Sequence, residues 1–498
     1  METNKRNKGL MIIAKDVDAY LANHIMHKYS DTLEVEIVTL KHRDKLEFEK
    51  KFKNIKAIHS LPEYAYIQKD YYSSLSISEI EEKIEQYTLN YQLKSVNRYI
   101  HYDFFRSIKK TTSRRDNYIR ILIILDFFQK INIDKFDFAF GELSRSYYVI
   151  CHDIMQSINK LYLSPTNIGI LKGILYVDDQ FQIINFDLKK KLFLESEEHM
   201  IYLDKAKNHI ENFIKKPKYN YTFLSISFKN NLQKLQHSIR KSKNLLLEIR
   251  SNHIDSKYRF DYIHTNPILR VVNREIVTLI KSKIINYFFF NDSNLKEKNY
   301  IFFPLHVHPE TTTSLFSEYS MDHISQHSST IEYLSKSIPC KNKLLIKEHP
   351  AMIGHRKIKF YSYYKQFYNI DLVGPKINQF DAIDKSDYII TLCGTIGLEA
   401  LFKDKKVITL ANSYYNYFRG IKNIKSINQF PSMFQDHKDF YSTKQTLTED
   451  FAFLMYCTHF NIVNFLIEDN IDVISKNNLD LFVKSIQTEL KLHNISKL

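Results

Sequence analysis

Apolar and polar positions alternate along this chain in a rhythm that appears twice. Residues 9–14 form a short apolar run that reads as a strand, and LEVEIVTL at 33–40 reads as a second. Residues 16–29, between them, have helical spacing. Helical patterns dominate residues 77–130. Residues 136–140 then read as a strand ending at Gly141-Glu142, and 144–159 as the helix that follows. This is βα alternation interrupted by a long helical insertion. Residues 216–296 look mostly helical, with a helix start at Asn266-Pro267, and the polar stretch 291–299 reads as a linker. From residue 300 the rhythm is clearer. Apolar runs recur at 300–305, 343–346, 370–373, 388–392 and 406–410, separated by helical spacing or short turns. Strands alternating with helices imply a parallel, doubly wound sheet. The predicted organisation is α/β, with two Rossmann-like domains at 1–290 and 291–440. Helices at 441–498 follow, either packing back across both domains or serving as an interaction tail.

Ligands of such sheets bind beyond the carboxyl ends of the strands. Here those ends carry the unusual residues: 304–310, 347–350, 374–375 and 393–399. Glycine sharpens the signal. The chain holds nine, and five fall between 354 and 420, which suggests tight turns or close backbone approach to a ligand.

Length and composition narrow the class. A chain of 498 residues exceeds one ordinary core, and 44% apolar residues supply ample material for two. The formal net charge is +15, spread without a dense basic tail. That distribution favours an anionic sugar polymer or membrane surface over nucleic acid. Cys151, Cys340, Cys393 and Cys457 lie far apart with no CxxC pair, which argues against a zinc site or disulfide framework and fits a reducing compartment. The charged N-terminus does not read as a signal peptide. The longest apolar stretch, 119–128, is too short to span a bilayer and contains Arg120 and Asp126. The expectation is a cytoplasmic protein, at most peripheral to a membrane.

Three segments in the second half suit phosphate and sugar chemistry. In LCGTIGLEA at 392–400 a strand ends, Gly394 and Gly397 straddle Thr395, and a helix starts. Free N–H groups at that helix start make an anion site, Thr395 adds a hydroxyl, and Glu399 is placed to accept from ribose hydroxyls. An ordinary Thr N-cap is the alternative. It is not a GxGxxG fingerprint, so a dinucleotide cofactor is not expected. In KEHP at 347–350, Pro350 holds His349 extended at a strand end, where its imidazole can donate to a leaving phosphate and Lys347 adds positive charge. In PLHVHPE at 304–310, period two puts His306 and His308 on one side, near Glu310. A metal set would lack a fourth ligand, so His306 and Glu310 are assigned to the donor cleft and no residue to a metal. In the first half, Glu142 stands just past a strand, placed as general base or nucleophile, or else as a helix-capping acid. Asp16 and Asp18 are weaker candidates of the same kind.

FFPLHVHPE, LLIKEHP, TLCGTIGLEAL and KKVITL, with GELSR at 141–145, resemble the bacterial capsule polysaccharide biosynthesis family, which includes the capsule-linker Kdo transferases. The resemblance implies a GT-B-like glycosyltransferase, with the donor in the C-terminal domain and the acceptor in the N-terminal one. It implies that His349-Pro350 and Thr395 hold a CMP-sugar. From the residues themselves, no DxD-like acidic pair sits near the phosphate turn and Lys347 with His349 can supply positive charge, so no obligatory cofactor or divalent ion is expected. Expected partners are the nucleotide-sugar donor, a glycan or glycolipid acceptor, and the inner face of the cell membrane or an export machinery. The family's usual GKP segment is replaced here by Asp404-Lys405-Lys406, which leaves donor identity open. Two other readings share the architecture: a polyol-phosphate polymerase of the glycerol-phosphate type and a sugar-nucleotide epimerase. A nucleic-acid-binding protein is suggested only by charge.

Overall fold

The computed structural model describes residues 6–13, 16–104, 113–217, 277–290, 299–307, 328–434, 443–463 and 474–497, with Leu295 and Leu315. Their strands make two sheets. The first holds β1 (Asn7–Ile13), β2 (Leu33–Thr39), β3 (Ile58–Ser60), β4 (Phe138–Phe140), β5 (Leu161–Asn167), β6 (Gly173–Val177) and, from much later in the chain, β13 (His459–Phe460). The second holds β7 (Tyr300–Pro304), β8 (Lys343–Lys347), β9 (Ile370–Val373), β10 (Ser386–Thr391), β11 (Lys406–Thr409) and β12 (Ile421–Asn423). All five strands expected after residue 300 are present and parallel. β12 is a sixth that its polar composition, Ile-Lys-Asn, did not announce.

Both sheets share one order. Numbered from its own first strand, each runs 3-2-1-4-5-6, the order of a doubly wound nucleotide-binding sheet. They part at the sixth strand. Only residues 168–172 separate β5 from β6, too few for a right-handed crossover, so β6 turns back antiparallel. Residues 410–420 separate β11 from β12, enough for the chain to cross over, and that pair is parallel.

The first sheet is buried on both faces, which β1 shows directly. Leu10 and Ile12 enter one core with the helices Ile77–Asn90, Arg114–Lys130 and Ser146–Ser157. Met11 and Ile13 enter the other, with Asp16–Lys28 and Lys476–Ile495. Successive side chains of a strand point to opposite faces, so a continuous apolar run is what a strand covered twice requires.

The C-terminal stretch packs back across both halves. The helix Lys444–Cys457 lies against His199–Lys215 and joins the core of the second sheet. The chain then crosses, β13 pairs with β6, and Lys476–Ile495 closes over the first sheet. Polar ties hold it there. Asp480 accepts from Lys28 Nζ at 2.6 Å and from the Tyr29 hydroxyl at 2.8 Å, and pairs with His24 Nε2 at 2.7 Å. The buried Glu489 pairs with Lys189 Nζ at 2.7 Å and His459 Nε2 at 2.9 Å. Among the described residues, no helix is long and apolar enough to cross a membrane. The helix start expected at Asn266-Pro267 lies outside them.

Candidate functional site

In a 3-2-1-4 order the crossovers leave in opposite directions from strands 1 and 4, and a crevice opens between their carboxyl ends. In the second sheet those strands are β7 and β10. His306 follows β7, and its Nε2 accepts from the Leu392 N–H at 3.2 Å while lying 3.1 Å from Thr391 Oγ1. Thr391 Oγ1 in turn accepts from the Gly394 N–H at 3.2 Å. Nε2 is thus the unprotonated nitrogen and Nδ1 carries the proton. The ring stays neutral: burial, helped by the charges of His349 and Arg356, holds its pKa down at about 3.

Gly394 permits this closeness. A Cβ there would stand 3.0 Å from both His306 Cε1 and Thr391 Oγ1. Gly397 is a packing position. Its N–H donates to the Gly394 carbonyl at 3.1 Å, and a Cβ would meet the Tyr415 hydroxyl at 2.7 Å. That hydroxyl itself donates to the Gly394 carbonyl at 2.5 Å. Of the phosphate turn read from sequence, the N–H groups of Thr395 and Ile396 and the Thr395 hydroxyl have no hydrogen-bond partner among the described residues. Thr395 occupies the N-cap position with helical backbone angles and no side-chain capping bond, so it is not the ordinary cap that was the alternative. Glu399 is buried in the helix Ile396–Phe402 and accepts from Gln379 Nε2 at 2.5 Å. Burial lifts its carboxyl to about 7. In this state its contact is Gln379, not an open ribose pocket.

His349 and Pro350 follow β8, beside His306. His349 is half-buried, and its Nδ1 accepts from the Ala351 N–H at 3.1 Å, which puts the proton of the neutral ring on Nε2. Burial is the main cause that lowers its pKa to about 4. Lys347 and Arg356 lower it further and Glu348 opposes them. At neutral pH His349 is therefore a neutral Nε2–H donor. Lys347 is the last residue of β8, buried, with its backbone carbonyl accepting from the Leu305 N–H at 2.9 Å.

Sequence reading passed over the residues that hold this loop. Arg356 is fully buried. Its Nε lies 2.9 Å from Glu348 Oε2, and its NH2 donates to the His306 carbonyl at 2.8 Å. Glu348 also accepts from the His349 N–H at 2.6 Å and from the Tyr361 hydroxyl at 2.5 Å. Glu348 stood inside the KEHP motif and could have been noticed. Arg356 lies in no motif, and only folding brings it to His306. His308 and Glu310 lie outside the described residues.

The first sheet has the same crevice between β1 and β4. Glu142 stands there, half-buried, and its side chain has no hydrogen-bond partner among the described residues. It is not a helix cap. Arg145 holds the N-cap position of Ser146–Ser157, and the Ser146 N–H donates to Asp103 Oδ1 at 3.0 Å. Glu142 borders two buried tyrosines, Tyr148 and Tyr162, whose hydroxyls its charge reaches; burial mainly holds both phenols protonated. Asp18 is buried nearby on Asp16–Lys28 and also acts on Tyr148. The two halves also touch directly: Asn412 Nδ2 donates to Gln180 Oε1 at 3.0 Å and Phe181 meets Tyr414 edge-on at 5.4 Å.

A buried group of His152, Asp153 and Asp179 has the makings of a metal set. Its charges are already matched within the protein. Lys94 and Arg98 pair with Asp179, and the Tyr99 hydroxyl donates to Asp153 at 2.6 Å.

Fold and site together define a doubly wound α/β protein with two Rossmann-ordered sheets and paired crevices at their carboxyl edges. A family model described as "Capsule polysaccharide biosynthesis protein" matches residues 203–458, just over half of the chain, and the chain belongs to that family. No curated protein matches it in sequence. Among solved structures it is similar to the beta Kdo 2,7 transferase of KpsC from Thermosulfurimonas dismutans, at 13% identity over 72% of this chain and 87% of that one, TM-score 0.31. The beta Kdo 2,4 transferase of the same KpsC matches at 13% over 64% and 79%, TM-score 0.32. A UDP-GlcNAc 2-epimerase from Neisseria meningitidis, bound to UDP-GlcNAc, matches at 13% over 97% and 100%, TM-score 0.27. At TM-scores this low neither fold nor function is inferred from the likeness.

Proposed function

We propose that this chain is a GT-B-type glycosyltransferase of bacterial surface polysaccharide synthesis. It binds a nucleotide-sugar at the edge of the second sheet and passes the sugar to a glycan or glycolipid held at the first. The favoured donor is a CMP-linked acidic sugar. The observation that carries this reading is the convergence at the β7–β10 crevice of a neutral Nε2–H donor at His349 with the unpartnered N–H groups and hydroxyl at Thr395 and Ile396. Membership of the capsule family supports it. So does the net charge of +15, which attracts anionic donors and polymers.

In this mechanism the sugar–phosphate bond breaks and the leaving phosphate takes up charge. His349 Nε2–H donates a hydrogen bond to it. No proton need be transferred, because a phosphate ester is a stable anion at neutral pH. Lys347 and Arg356 add fixed positive charge behind the ring. Glu142 takes the proton of the attacking acceptor hydroxyl as that oxygen bonds the anomeric carbon, or attacks the anomeric carbon itself in a retaining transfer. The nucleotide binds without an obligatory divalent ion, and the site works at the inner face of the cell membrane.

A thermal-shift panel of CMP, CDP, UDP and GDP, with and without chelator, tests this reading. A response to CMP that survives chelation is expected. Selectivity for CDP would move the reading to a polyol-phosphate polymerase, and for UDP to an epimerase. Silence with all four would sink it.

A further inference from the structure

We infer that Arg356 is a positioning residue for the nucleotide site: one buried guanidinium ties the loops after β7 and β8 together and so sets how His306 and His349 face the ligand. This rests on the transferase reading, because it gives the two histidines a ligand to face.

The geometry is a bridge. Arg356 reaches the His306 carbonyl with one nitrogen, at 2.8 Å, and Glu348 Oε2 with another, at 2.9 Å. Glu348 carries the connection on, since its Oε1 accepts the His349 N–H at 2.6 Å. The Tyr361 hydroxyl, from the helix Ile358–Tyr364, donates to Oε2 at 2.5 Å and holds that carboxylate in place. Arg356 and Glu348 are 0% and 1% exposed. A buried ion pair of this kind is seldom the most stabilising choice, because taking both charges out of water offsets most of their attraction. An apolar pair would fill the same space. It could not bond a carbonyl on one loop and a backbone N–H on the next.

The bridge also fixes how the neutral ring is presented. The charged groups facing His349 are Lys347, Glu348 and Arg356, with the His306 ring beside it. Burial is the main reason the ring stays neutral; Lys347 and Arg356 add to it and Glu348 opposes them. Held this way, Nδ1 accepts from Ala351 and Nε2–H is the only polar group the ring can offer. The neutral ring then offers a phosphate a hydrogen bond in a single tautomer, and positive charge comes from Lys347 and Arg356 beside it.

The test compares Arg356→Lys with the paired variant Glu348→Gln/Arg356→Met in the full chain. Arg356→Met alone would strand Glu348 as an unpaired buried charge and endanger folding; the paired change removes both charges together. Histidine-selective isotope labelling lets NMR report the tautomer and titration of His306 and His349 with no ligand present. In the natural chain both rings should stay neutral down to about pH 5, with His349 protonated at Nε2. In the paired variant His349 should stay neutral, because burial is the main cause of its low titration and Glu348, which opposed it, is gone, but the loosened loop should populate both tautomers. Binding of whichever nucleotide the panel selects should weaken about tenfold or more. Arg356→Lys keeps the charge but not the fork, and should preserve the low titration while losing part of the affinity. Unchanged rings in a folded paired variant overturn the proposal. So does nucleotide affinity that survives intact. If no nucleotide binds the natural chain, the transferase reading fails on its own, and the NMR arm still decides whether Arg356 sets the two rings.

Discussion

The two switch points of this molecule share a strand order and differ in how firmly they are tied. At the second, the groups that frame the crevice are tied to one another, and among the described residues the Thr395 hydroxyl is left open to a ligand. His306 is locked to Leu392 and Thr391, Tyr415 to Gly394, and Arg356 to both His306 and Glu348. At the first, Glu142 makes no side-chain hydrogen bond among the described residues, and two buried tyrosines lie beneath it. A nucleotide phosphate is a small anion of constant shape, and a preorganised cradle binds it with little loss to reordering. A carboxylate that must take a proton gains from being left without donors, since each donor would lower its basicity. The contrast therefore fits a division in which one edge holds and the other reacts.

The sharpest way to break that division is Glu142→Gln. Transfer should fall by on the order of 10³-fold, because a positioned base contributes about 10²–10⁴, while the nucleotide thermal shift stays as it was. Near-normal transfer would remove the reactive role from the first edge and send the search to Asp18. His349→Ala should come next. Losing one preorganised donor to a leaving phosphate costs on the order of 10²–10³ in rate, and here nucleotide binding should weaken as well, so the pair of assays separates the two residues.

Gly397→Ala tests the tied edge by packing alone. Its Cβ would stand 2.7 Å from the Tyr415 hydroxyl and push it off the Gly394 carbonyl. Nucleotide affinity should fall about tenfold, with about 1–3 kcal/mol of stability lost in denaturant titration. A variant as stable as the natural chain would show that the turn tolerates a side chain there.

The smallest effect concerns pH. Burial holds Glu399 up at about 7 against an ordinary 4.5, so the folded chain keeps a proton that the unfolded chain releases across that window. Stability from this group is whole below pH 4.5 and declines as pH rises toward 7, by at most about 1.4 kcal/mol per unit. Glu399→Gln, which keeps the contact to Gln379 without the charge, should flatten the difference in Tm between pH 5 and pH 7.5. An unchanged slope would assign that pH dependence to other groups.

How far the sequence reached can be seen residue by residue. β1, β4, β7, β8, β9, β10 and β11 were legible because strands buried on both faces read as short apolar runs, and β2 because LEVEIVT alternates in polarity. β3, β5, β6 and β12 were not read. β3 and β12 have three residues each and β5 carries Pro165 and Asn167, so their own pattern does not announce a strand; β6, GILYV, is apolar enough to have been read and was missed. His306 and His349 were legible because they follow strands. The Glu348–Arg356 bridge joins residues eight apart that no helix or strand period relates.

The sequence by itself determined that this is a two-sheet α/β protein, and it located the strand ends where chemistry collects, since periodicity and turn residues are local properties that local physics reads. Only the tertiary structure decided what those ends do to one another. It made both histidines neutral, assigned each its tautomer, turned Gly397 from a ligand contact into a packing position, and sent the last helix back across the molecule to close the first core. Each of these depends on groups far apart in the chain meeting away from water, where burial sets protonation and a single methyl group decides whether two backbones can approach.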